Sequence, residues 1–190
     1  MKYFILLLAS CTILTSCVQV QSNPNIQITV KLSDSLSSEP IDGRMLLMLS
    51  TNAEEEPRFQ INDGLNTQLI FGKNVEGLQP GDAVTFTSED MGFPIENLDD
   101  IPDGEYQVQA LLHVYETFNL STGHTVKLPM DNGEGQQWNK SPGNIYNEPV
   151  SISIGNTFST LQSVTIDKVI PPIEAPKDTE WIKHIKMKHV

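Results

Sequence analysis

The chain carries four histidines, His113, His124, His184 and His189, and two cysteines, Cys11 and Cys17. Nucleophilic or metal chemistry needs such groups to converge with carboxylates at short, defined spacings. Here they are scattered. His113 falls in an apolar run and His124 at a hairpin edge, while His184 and His189 lie five apart with no obvious third ligand. No G-x-S-x-G elbow, H-E-x-x-H pair, P-loop or G-x-G-x-x-G turn occurs. Carboxylates are plentiful but show no acid–base pairing. The expectation is a chain without reactive machinery of its own: no enzyme, no cofactor.

What remains is binding chemistry, concentrated in one stretch. Residues 130–149, MDNGEGQQWNKSPGNIYNEP, hold three glycines, four asparagines and two prolines around one tryptophan and one tyrosine. That density of turn formers predicts neither helix nor strand, and so long a loop in a compact domain points to function or disorder. Trp138 and Tyr146, flanked by Gln136 and Asn139, suit a carbohydrate platform, rings stacking on sugar faces while amides bond hydroxyls. The competing reading, which the size of tryptophan favours, is a plug over the domain's own open end or against a neighbouring domain. Asp131 and Glu134 form a weak candidate calcium loop, and residues 89–105 hold seven carboxylates without a basic residue. The EF-hand spacing is not met, and solvated acidic loops are the default.

The elements that must carry this loop read as strands. Ile26, Ile28, Val30 and Leu32 alternate with polar residues, the period of a half-buried strand. A turn follows over residues 39–43, and RMLLMLS (44–50) is apolar enough for a central strand. Further runs at 68–71, 83–87, 105–115, 124–128, 150–154 and 161–168 make eight candidate strands, separated by Asp-Gly, Pro-Gly, Thr-Gly and Gly-Asn signals. No long helical stripe is present. The prediction is an all-β, antiparallel β-sandwich of immunoglobulin-like type over residues 26–168. Tyr106, just after a tight turn and at the head of an alternating strand, is placed to form a tyrosine corner. Tyr106, Val108 and Ala110 are expected to face inward, with Glu105, Gln107 and Gln109 outward.

Both ends suggest attachment. Residues 1–16, MKYFILLLASCTILTS, have one charge at Lys2 and an apolar run too short for a permanent span, the layout of a secretory signal. It closes in Leu14-Thr15-Ser16-Cys17, which resembles a bacterial lipobox and marks Cys17 for lipidation, with 17–25 as a tether. An ordinary signal peptide with a chance cysteine is the alternative. With Cys11 removed no disulfide framework is left. The net charge of −12 excludes nucleic acid and peripheral binding to anionic lipid, so the membrane is reached through the N-terminal lipid. Val18 and Gln19 lack an aspartate retention signal, which points to the bacterial cell envelope, at the outer membrane facing the periplasm. At the other end, residues 169–179 contain three prolines and read as a stiff connector. Residues 180–190, EWIKHIKMKHV, read as one more strand with nothing to pair with, the start of a missing or truncated second domain.

Two stretches bring a family to mind: DGEYQVQALLHVYETFNLSTGHTVKLPMDNGEGQQWNKSPGNIYNEP and DKVIPPIEAPKDTEWIKHIKMKH. The Y-x-V-Q-A-L strand, G-H-T-V hairpin, Q-x-W-N-x-S-P-G-N-x-Y loop and I-P-P-I linker resemble the N-terminal β-domain of secreted bacterial proteins classed as esterases of the α/β-hydrolase type. The likeness covers most of residues 26–188. It implies an accessory or leader domain preceding a hydrolase whose serine, aspartate and histidine are not in this chain, so no catalytic residue carries over. For Trp138 it implies a contact with that downstream hydrolase domain or with its substrate path. The function expected is a non-catalytic accessory β-domain of a lipid-anchored, esterase-like envelope protein. The alternative is a stand-alone glycan- or ligand-binding envelope lipoprotein.

Overall fold

The computed structural model describes residues 26–36, 39–131, 135, 137–155, 161–174 and 176–185. The signal segment, Cys17 and the tether lie outside the described residues, as do Glu134, Gln136 and His189.

The chain enters at Ile26, whose backbone N–H donates to Asp99 Oδ1 at 3.0 Å, and runs into β1 (Gln27–Leu32), with Ile28, Val30 and Leu32 buried as the alternation predicts. β2 (Ile41–Ser50) starts three residues before the apolar run, because the expected turn at 39–43 is taken up as a β-bulge between Ile41 and Gly43. From Met45 to Ser50 it is buried on both faces, the signature of a central strand covered on two sides. A 3₁₀ turn over Pro57–Phe59 precedes β3 (Leu69–Leu78), and β4 (Ala83–Phe86) and the two-residue β5 (Gly92–Phe93) follow. β6 (Gly104–Asn119) is the spine of the molecule. After it come β7 (Thr125–Pro129), β8 (Ile145–Tyr146), β9 (Val150–Ile154), β10 (Leu161–Ile166) and β11 (Lys168–Val169).

These strands form two sheets of a sandwich: β10-β1-β4, and a larger one ordered β11-β8-β6-β2-β3-β5 with β7 and β9 also on β6. All ladders are antiparallel except β1–β10, which is parallel. Such pairing needs a long crossover between the two strands, and here most of the chain separates them. Between the sheets lies one apolar core in which Ile28, Val30, Leu32, Phe86 and Ile166 meet Met45, Leu47, Phe71, Val108 and Leu112. Tyr106 is buried in it, and its hydroxyl donates to Pro102 O at 2.9 Å, so the tyrosine corner is formed. Burial, then the neighbouring Asp103 carboxylate, push the Tyr106 phenol above its usual pKa.

Chain direction gives the sandwich two poles. β1 runs from the Ile26–Asp99 contact to the end where Ser33 N–H meets Ile166 O at 3.1 Å, with β10 parallel to it. On β8, Lys168 pairs with Tyr146 and Val169 with Ile145, and those pair with Leu111 and Leu112 in turn. The chain therefore climbs β6 as it leaves, and departs towards the pole opposite the one where it enters. Ile170, expected in the proline-rich connector, is buried, with its N–H on Asn144 O at 2.8 Å; the folded body ends two residues later than predicted.

Candidate functional site

The outer face of the large sheet is where the 130–149 loop lies. Alternation along β2 and β6 turns Leu46, Met48 and Leu111 away from the sandwich core, and with Ile170 they form a second apolar cluster. Ile61, Ile70, Trp138 and Tyr146 pack over it, half-buried. Trp138 is thus seated on the domain's own sheet. The segment contains a strand after all: β8, two residues long. It is short because Pro142-Gly143 precedes it and Pro149 follows.

Asparagine side chains finish what β8 cannot. Beyond the paired Leu111 and Leu112, the β6 edge still has N–H groups to satisfy. Ala110 N–H donates to Asn147 Oδ1 at 2.7 Å and Val114 N–H to Asn144 Oδ1 at 3.0 Å. Asn144 Nδ2 returns to Trp138 O at 2.7 Å, which fixes the tryptophan's backbone to the same frame. Both asparagines are buried.

Arg58 joins this loop to the 3₁₀ turn. It is 8% exposed, with its guanidinium carbon 4.3 Å from the Tyr146 ring centroid and 4.5 Å from that of Phe59. Nη1 donates to Asn139 O at 3.3 Å, and Asn139 Nδ2 donates back to Arg58 O at 3.2 Å. Nε lies 2.8 Å from Glu56 Oε2, an ion pair without hydrogen-bond alignment, while Nη2 donates to Glu56 Oε1 at 3.2 Å. Gln109 is fully buried beneath them. Its Oε1 accepts from Arg58 N–H at 3.0 Å, and its Nε2 donates to Glu56 Oε2 at 2.7 Å and Asn147 O at 2.9 Å. The expectation that Gln109 faces outward holds only for direction. It points away from the core yet sees no water, because the loops build a partial third layer over it.

Of the predicted site residues, Trp138, Asn139 and Tyr146 are brought together, all in this third layer. Asp131 is exposed, with Gly135 N–H 3.4 Å from its Oδ1. Among the described residues no group of three or more His, Cys, Asp or Glu is arranged to hold a metal ion. His113 lies edge-on to Tyr115 with centroids 5.5 Å apart. Arg58, Glu56, Gln109 and the two asparagines were not singled out by sequence; no motif marks them, and only the structure shows that they share a face.

A second candidate is the exposed run after Ile170. Residues 171–174 and 176–185 are solvent-exposed throughout, including Trp181 at 85% and Ile185 at 82%. No strand forms over the described residues 180–185, contrary to the expectation of one more strand there. Asp178 and Thr179 satisfy local amides instead, with Ile182 N–H on Thr179 Oγ1 at 3.0 Å and His184 N–H on Asp178 Oδ1 at 2.9 Å. Elsewhere on the sheet, Lys127 Nζ bridges Asp42 at 2.9 Å and Glu76 at 3.5 Å, holding β7 to β2 and β3. Lys127, with the Gly77 N–H, keeps the Asp42 carboxyl below its usual pKa, and Asp42 raises that of Lys127.

No family model and no curated protein matches the chain. A search of solved structures returns a "putative adhesin" from Bacteroides ovatus at 12% identity and a TM-score of 0.35. The match covers 82% of this chain and 49% of that one.

Proposed function

We propose that this chain is a non-catalytic accessory β-domain of a lipid-anchored, esterase-like envelope protein, and that it presents the segment after Ile170 to a neighbouring hydrolase domain. One observation carries the reading. Three large apolar side chains, Trp181, Ile182 and Ile185, are exposed on the segment beyond Ile170, of which no described residue joins either apolar cluster of the body. Apolar side chains of this size gain about 1.5–3 kcal/mol each on burial, so a partner surface is the economical destination. The two-pole layout supports it: a lipid on Cys17 would fix one end, and the segment leaves at the other, away from the membrane.

The test is the native product, detected with antibody against the β-domain. A mass well above the 21.1 kDa of this chain, with a serine elbow in the same polypeptide or in a co-purifying one, is expected. The triple substitution Trp181→Ser, Ile182→Ser and Ile185→Ser should release the partner without unfolding the sandwich. A native species of this chain's own mass, with no hydrolase bound, would overturn the proposal.

A further inference from the structure

A polar cleft adjoins the Arg58 site on the side of Phe59. It has a volume of about 580 Å³ and sits between the turn after β2 and the loop leading into β3. Its walls are Asn52, Phe59, Gln60, Asn62, Asn66 and Gln68, with Leu65 bare at its rim. Glu55 is the one charged side chain that lines it. Amides dominate this lining and Phe59 adds a small apolar part, in a segment the sequence did not single out.

The geometry points to a binding site for a neutral oligosaccharide in this cleft. Its amides are oriented before any ligand arrives. Gln60 is buried; its Oε1 accepts from Ser50 Oγ at 2.8 Å, and its Nε2 donates to Asn52 O at 3.0 Å and to Glu55 O, locking one wall. Asn62 Oδ1 accepts from Gly64 N–H at 2.8 Å, and Gln68 Oε1 from Thr51 N–H at 3.1 Å. These bonds use both N–H groups of Gln60, which serves as frame, whereas Asn62, with Nδ2 on Gln60 O at 3.3 Å, and Gln68, with Nε2 on Asn66 O at 3.2 Å, each keep one N–H for a ligand. Preorganised polar groups reduce the ordering cost of binding. Phe59 is half-buried, with the Arg58 guanidinium 4.5 Å and the Lys140 ammonium 6.0 Å from its ring centroid, so the ring adds only a minor apolar contact to the cleft. Ligand charge follows from the lining: hydroxyls match amides, whereas a polyanion would meet Glu55 and a chain of net charge −12. The inference stands without the accessory-domain proposal, because a downstream partner is not needed for it.

The experiment titrates the purified, isotope-labelled chain with maltohexaose, cellohexaose and laminarihexaose, and follows backbone amide shifts. At least one glycan is expected to shift amides within residues 52–68, with Kd at or below about 1 mM. Asn66→Ala removes an exposed lining amide, and Asn66→Asp keeps its acceptor while removing the donor. Each should weaken binding about tenfold, with the urea midpoint unchanged. No shift with any of the three at about 10 mM overturns the inference, as do shifts confined to Trp138 and its neighbours, or equal binding by both variants. Loss of partner binding by the Trp181 triple variant leaves this result untouched, so the two proposals fail separately.

Discussion

Replacing Arg58 by methionine isolates what the third layer contributes. Methionine keeps an apolar stem at this buried position but removes the guanidinium from beside the Tyr146 and Phe59 rings. Two cation–π contacts at about 0.5–1 kcal/mol each are lost. So are hydrogen bonds to Asn139 O and Glu56, where a charged partner makes the loss about 1.5–3 kcal/mol. Against this, releasing an immobilised arginine returns roughly 1 kcal/mol of side-chain entropy, and Glu56 keeps Gln109 Nε2 as a partner. The net expectation is a destabilisation of about 2–3 kcal/mol, or roughly 5–10 °C in Tm for a domain of this size. Urea titration followed by tryptophan fluorescence reads it out: of the two tryptophans, Trp181 is already 85% exposed, so the signal reports on Trp138. Arg58→Lys should recover little, since an ammonium cannot stack and fork as the planar group does. Lys31→Ala, which breaks the exposed 3.7 Å pair with Asp34, should cost under about 0.5 kcal/mol. A loss below about 0.5 kcal/mol for Arg58→Met, or full rescue by lysine, refutes the view that this layer is a bonded part of the fold.

Three further outcomes follow from the same geometry. Tyr106→Phe removes the 2.9 Å bond to Pro102 O and should cost about 1 kcal/mol in denaturant titration. Because the folded pKa of Tyr106 is raised, its contribution is complete below the unfolded tyrosine value and is lost as pH rises through the folded one, so the variant should lose part of the wild type's alkaline instability. Asp42 has the opposite sign: its lowered pKa makes the Asp42–Lys127 link present above the unfolded carboxyl value and lost as pH falls through the folded one. Hydrogen exchange should therefore show β7 amides loosening in acid in the wild type, and already loose at neutral pH in Asp42→Asn. Gly43→Ala places a Cβ onto the His113 carbonyl of β6 with no room for it, and a drop of about 1–3 kcal/mol by calorimetry is expected; an unchanged Tm would mean that β2 and β6 part more easily than their register implies.

Period-two alternation exposed β1, the inner face of β6 and the tyrosine corner, because burial on one face only leaves a readable pattern. The outer face is where that logic fails. Leu46, Met48, Gln109 and Leu111 all point away from the sandwich core, yet all are buried. A strand covered on both sides has no alternation to read, and so RMLLMLS disclosed a central strand but not what lies above it. The cover is irregular chain, whose hold depends on side-chain amides substituting for strand partners at single positions. Asn147 at Ala110 and Asn144 at Val114 are such positions. In a sequence rich in asparagine, nothing separates these two from Asn139 beside the arginine or from Asn66 at the cleft. The same ambiguity holds for any sugar-binding chemistry read from composition. Aromatic rings among amides describe the 130–149 loop and the 52–68 cleft equally well. Only in the folded chain is Trp138 covering the sheet while Gln60, Asn62 and Gln68 line an open hollow. Composition can nominate a chemistry; whether a given amide is used up in holding the fold or left to face a ligand depends on pairings dozens of residues apart.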